Sequence, residues 1–135
     1  MSLANDFLER PQVLSTASKY TVANGVFYIA NGAALIAWPG ILQAIFGEPA
    51  FVGNEAAIIR LVGFLLGIVG WFYLFGGRSG ARNFVAASVV DRLVFVPAVL
   101  VPLAMAGVFP RLLLTFTVLD PLLAIGAWVL LSRKT

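Results

Sequence analysis

The chain has 135 residues, of which 61% are hydrophobic and 11% charged, with a net charge of +3; soluble domains carry about 25% charged residues. So few charges cannot cover a folded surface in water, and the mean hydropathy of +0.98 comes from apolar stretches spread along the whole length. Cysteine and histidine are both absent, which removes the ligands of most zinc, haem, copper and iron–sulfur sites, along with thiol chemistry and Ser-His or Cys-His nucleophiles. No metal and no cofactor is expected, and no nucleic-acid partner, because the basic residues stand at helix ends where lipid topology accounts for them.

The opening Met-Ser-Leu-Ala-Asn-Asp-Phe-Leu-Glu-Arg lacks the short basic run and apolar core of a secretory signal, so no cleavage is expected. Residues 5–19 are expected to form a surface helix, with Phe7, Leu8, Val13 and Leu14 on its apolar face and Pro11 interrupting it. Four segments then reach the roughly 20 apolar residues that cross a hydrocarbon core. They run over about 20–38, 56–75, 83–106 and 111–131; the first ends at Pro39-Gly40 and the second at Gly76-Gly77. Only Gly107-Val108-Phe109-Pro110 separates the last two, which makes them antiparallel neighbours. The predicted fold is all-α: a polytopic integral membrane protein whose four transmembrane helices form one antiparallel bundle, a single domain over 1–135. In the first loop, Ile41-Leu42-Gln43-Ala44-Ile45-Phe46 is too short to span but apolar enough either to cap the bundle or to rest on headgroups.

Positive flanks stay in the cytoplasm. Arg10 and Lys19 precede the first span, Arg78 and Arg82 fill the second loop, and Arg133 and Lys134 follow the fourth; all six fall on one side. The opposite side offers Glu48 and Glu55, with Arg60 and Arg111 at its edges. A bacterial inner-membrane protein with cytoplasmic N and C termini is the expectation.

Ionisable residues within a span are costly and by default face a bundle interior or a wet cavity. Asp91 and Arg92 lie in the third span, Asp120 in the fourth, and Arg60 one turn inside the second. At about 1.5 Å per residue, Asp91 and Asp120 come within a few ångströms of one depth near mid-bilayer. The face of Arg60, Gly63, Gly67 and Trp71 on the second span carries a GxxxG that permits close helix approach. Ser88 stands one turn before Asp91 and Arg92, Thr117 shares a face with Asp120, and Asn24, Tyr28 and Asn31 form a stripe on the first span. These faces are expected to meet in the middle, with Met105 also in the core. Pro97, Pro102 and Pro121 deprive the carbonyls of Leu93, Ala98 and Thr117 of their usual donor. In the plainer reading, Arg92 or Arg60 pairs with Asp120 merely to fix packing.

Asn54-Glu55 leading into Arg60-Leu61-Val62-Gly63, the glycine-rich span, the Arg-bearing turn, Asp91-Arg92 and Asp120-Pro121 resemble the DoxX-like and related small four-helix bacterial membrane proteins over most of residues 20–131. The resemblance implies a four-helix bundle. It transfers no catalytic residue, and the cysteines of redox-associated members are absent here.

Three functions remain open. The first is a binding module or accessory subunit in which Arg60, Arg92, Asn24, Tyr28, Asn31, Ser88, Thr117 and Trp71 hold an apolar, amphipathic or lipid-like small molecule or a partner membrane protein. In the second, a membrane-embedded isomerase, cyclase or epoxide hydrolase, Asp91 and Asp120 would be the catalytic acid and base. The third is a proton-coupled transporter that relays through either aspartate and works as a homo-oligomer.

Overall fold

The computed structural model describes residues 2–133; Met1 of the opening segment and Lys134 of the last basic flank lie outside them. Four helices are long and apolar enough to cross a membrane: α2 (Thr16–Ala37), α4 (Glu55–Arg78), a third helix running Arg82–Met105, and α7 (Pro110–Ser132). The third is α5 (Arg82–Val90) and α6 (Val96–Met105) joined through a widened turn at Asp91–Phe95. Two short helices, α1 (Leu3–Leu8) and α3 (Ile41–Phe46), complete the described chain. The all-α integral membrane fold with four antiparallel spans is the one the hydropathy requires.

The boundaries follow local chemistry. Ser15 caps α2 by accepting the Ser18 amide at 3.1 Å, so this helix starts a turn earlier than its apolar run. The surface helix expected over 5–19 is corrected to α1 alone, because the stretch around Pro11 cannot continue it. Phe7 nevertheless docks as an apolar anchor, its ring 4.4 Å from that of Phe75 and 5.7 Å from that of Trp71.

α2 and α4 form the tightest pair, and glycine is the reason. A Cβ on Gly63 would stand 2.7 Å from the Gly32 carbonyl oxygen, one on Gly70 2.7 Å from that of Gly25, and one on Gly77 3.0 Å from that of Ser18. Ser18, Gly25 and Gly32 recur every seven residues, and so do Gly63, Gly70 and Gly77. The two ladders therefore meet rung by rung in antiparallel register, the small-residue contact that drives helix association where lipid offers no hydrophobic gain. A seven-residue repeat keeps such a seam on one side of a left-handed pair.

At the end carrying the α2–α4 loop, α3 inserts Leu42 among Leu35, Ile59 and Leu112, all four buried; this segment caps the bundle. Glu48 just beyond it is 4% exposed and accepts the backbone N–H groups of Arg111 and Leu112 at 2.7 and 2.9 Å. Phe109 precedes α7 with a φ of 38° and has no side-chain acceptor, so a carboxylate from a distant loop caps this helix instead. Arg111 reciprocates by donating to the Gly47 carbonyl. Met105, expected in the core, is 82% exposed, because it ends α6 on the outward face.

Candidate functional site

α4 lies along α2 and stands off from α6 and α7. The gap is a cleft of about 440 Å³, inside the usual range for small-molecule sites of about 300–1,000 Å³. Leu65, Leu66 and Val69 of α4 form one wall, and Val99 of α6 with Phe116 of α7 forms the other. Leu65, Phe95 and Val99 are all more than half exposed. The mouth thus opens sideways between α4 and α6, on the apolar girth of the bundle rather than at its ends.

Four helices supply a polar floor. Tyr28 on α2 donates its hydroxyl to Asp120 Oδ1 on α7. Tyr73 on α4 donates to Asp91 Oδ2 at 3.2 Å. The Arg92 guanidinium lies 5.1 Å from the centre of the Tyr73 ring, a cation–π contact, and the two tyrosine rings meet edge to face at 5.5 Å. Arg92 is 1% exposed. Its Nε donates to the Ser88 carbonyl at 3.1 Å and its Nη2 to Ser88 Oγ at 3.2 Å, whereas Nη1 has no protein partner. None of these bonds goes to a carboxylate, so each aspartate is held by a tyrosine and the arginine by a serine on its own helix. The Arg92–Asp120 pair of the plainer reading is not formed, because Arg92 donates to Ser88 instead.

The widened turn explains how neighbours 91 and 92 both reach the cleft. Pro97 has no N–H for the carbonyl of Leu93, and its ring crowds that carbonyl. The backbone answers with i→i+5 bonding, in which the Val96 N–H reaches the Asp91 carbonyl. Such single π turns recur where a helix must re-aim side chains.

Of the residues singled out from sequence, Tyr28, Asp91, Arg92 and Asp120 line the cleft together, and Ser88 supports Arg92 from behind. Others are elsewhere. Arg60 is exposed and donates to the Ile36 carbonyl at 3.2 Å, which removes it from any pairing with Asp120. Trp71 is 49% exposed and stacks in the Phe7–Phe75 cluster. The face of α4 bearing Gly63 turns toward α2 because that is where the glycines allow contact. Asn31 and Thr117 satisfy themselves on their own helices, donating to the carbonyls of Phe27 and Leu113. Asn24 is buried one turn before Tyr28, its Nδ2 without a protein partner.

Tyr73 is the site residue that sequence reasoning missed. Its signal was present, since Val62, Leu66, Val69 and Tyr73 follow the spacing of one helical face and all four line the cleft. Among the described residues no cluster of acidic groups is arranged to hold a metal ion. Chemically, the floor combines carboxylates, tyrosine hydroxyls and an arginine with an unused donor, enclosed by apolar walls. Comparisons of the chain with protein-family models, with curated proteins and with solved structures return no match.

Proposed function

We propose that this protein binds an apolar or amphipathic small molecule drawn from the surrounding bilayer. The observation that carries the reading is the lateral cleft with a polar floor, since its mouth lies where lipid chains stand and its depth holds the buried polar side chains. A site reached from within the membrane suits a molecule too apolar to arrive through water. The DoxX-like resemblance belongs to the same proposal, as a shared bundle without a shared catalytic residue.

The test is mass spectrometry of organic extracts from purified wild type and a folded Asp120→Asn variant. A small molecule retained by the wild type and depleted in the variant is the expected result. Bulk phospholipid alone in both samples would overturn the reading.

A second reading is favoured by one specific feature: Asp91 and Asp120, each bonded to a tyrosine hydroxyl, face a single cleft. Paired carboxylates of this kind could transfer protons to and from a bound apolar substrate. Conversion of the retained molecule would then stop in Asp91→Asn or Asp120→Asn, and undiminished conversion in both variants would remove the idea.

The orientation belongs to the same proposal: the end bearing Arg10, Lys19, Arg78, Arg82 and Arg133 faces the cytoplasm of a bacterial inner membrane. Membrane lipids are the surrounding partners, and a homo-oligomer or a partner membrane protein would occupy other faces.

A further inference from the structure

We infer, on the binding role proposed above, that the ligand is an uncharged alcohol or ketone with a long apolar body, held with its oxygen near mid-bilayer and its body toward the α3 end. Depth is the first reason. Tyr28, Arg92 and Asp120 stand about halfway along their spans. The apolar lining is one-sided: Val62 and Leu66 of α4, Val99 and Leu100 of α6, and Leu112 and Phe116 of α7 all lie between this floor and the α3 end. From Asp120 to Leu112 the cleft wall climbs about 12 Å at 1.5 Å per residue, and the cluster of Leu35, Leu42, Ile59 and Leu112 closes it there.

Such a cleft places a polar group where a phospholipid never carries one, because a headgroup belongs at the interface, roughly 15 Å from the centre of a 30 Å core. Charge is the second reason. One arginine faces two carboxyl groups, so the floor carries no net positive charge with which to hold a phosphate or carboxylate group. Donor and acceptor accounting is the third. Arg92 lines the cleft and keeps Nη1 without a protein partner, so it offers a hydrogen bond to a carbonyl or hydroxyl oxygen. Asp91 and Asp120 each receive one tyrosine bond and can accept a further one from a hydroxyl.

The experiment uses the full chain in lipid nanodiscs with three photoreactive probes: hexadecanol and hexadecan-2-one, each with a diazirine on the ninth carbon so that it stays within the closed part of the cleft, and the matching hexadecane. Labelled peptides are mapped by mass spectrometry in wild type, Arg92→Met and Asp120→Asn, with circular dichroism to verify folding. The expected result is labelling by both oxygenated probes at Val99, Leu112 or Phe116, at least 10-fold above hexadecane, and reduced at least 10-fold in a folded Arg92→Met or Asp120→Asn. Equal labelling of the cleft by hexadecane, or labelling that both variants retain, overturns the alcohol-or-ketone assignment and leaves the binding role standing. Cleft labelling confined to residues near Tyr73 overturns the orientation. Absence of cleft labelling by every probe overturns both the assignment and the binding role.

Discussion

Tyr28 and Asp120, 92 residues apart in the chain, meet in one buried hydrogen bond that ties α2 to α7 across the floor of the cleft. A second strut, from the Tyr20 hydroxyl to the Leu123 carbonyl at 3.0 Å, joins the same helices nearer the chain termini. Together they anchor the glycine-packed α2–α4 pair to the rest of the bundle, while α4 itself is held off α6. The cleft is thus a consequence of which helix of that pair is tied to α7.

Tyr28→Phe keeps the ring and removes the donor. Interhelical hydrogen bonds in membranes are worth about 0.6–2 kcal/mol, so the variant should lose about 1 kcal/mol in a detergent unfolding titration while retaining its helical circular dichroism. Unchanged stability would show that the bond contributes nothing to holding α2 on α7.

The two glycines of the GxxxG should behave differently. A Cβ on Gly63 would meet the Gly32 carbonyl oxygen at 2.7 Å and Leu35 Cβ at 2.8 Å, whereas one on Gly67 meets nothing within 4 Å. Gly63→Ala should therefore cost about 1–3 kcal/mol through overpacking, and Gly67→Ala should be neutral or stabilising by up to about 1 kcal/mol through helix propensity. Thermal unfolding in detergent of the two variants side by side decides it.

Glu48→Ala strips the cap from α7 and leaves the amides of Arg111 and Leu112 without their acceptor. Loss of a capping acceptor costs about 0.5–2 kcal/mol. Hydrogen exchange should accelerate at these two amides and leave those of the mid-helix unchanged; uniform protection in the variant would show that another group caps the helix.

Arg92→Met should separate binding from stability. Arg92 bonds to Ser88 and to no carboxylate, so an apolar side chain of similar length breaks no ion pair. Unfolding stability is expected to stay within about 1 kcal/mol of wild type, while the molecule retained by the wild type is lost from organic extracts. A large loss of stability would make Arg92 a packing element.

The absence of cysteine makes orientation directly measurable. In intact bacterial cells, a membrane-impermeant maleimide should label Ala50→Cys in the loop after α3 and not Asn5→Cys in α1. The reverse pattern would invert the assignment made from the basic flanks.

The spans were readable because length and hydropathy dominate the cost of crossing lipid, and Asp91, Arg92 and Asp120 were readable because charge at that depth is rare enough to mark a site. Rotation of a helix about its own axis was not. Arg60 and Trp71 share the spacing of Gly63, yet the glycine ladder sends that face of α4 toward α2 and leaves the flanking large residues outside. Tyr73, on the neighbouring face, reaches Asp91 instead. Glu48 carried no local signal at all, because its partners at the start of α7 lie more than sixty residues away. Pro97 did announce a disturbed backbone, but hydrogen-bond loss alone does not say whether a helix will kink or widen.

The widened turn at Asp91–Phe95 also divides the third span into two segments with independent phase. An α-helix advances about 100° per residue, so deleting one residue from this turn would rotate all of α6 against α5. The contacts of Val85, Ser88 and Val89 with the core would survive such a change, while Val96, Val99 and Leu100 would swing away from the cleft. The wall that α6 gives the site, together with its packing on α7, therefore depends on the length of this one turn.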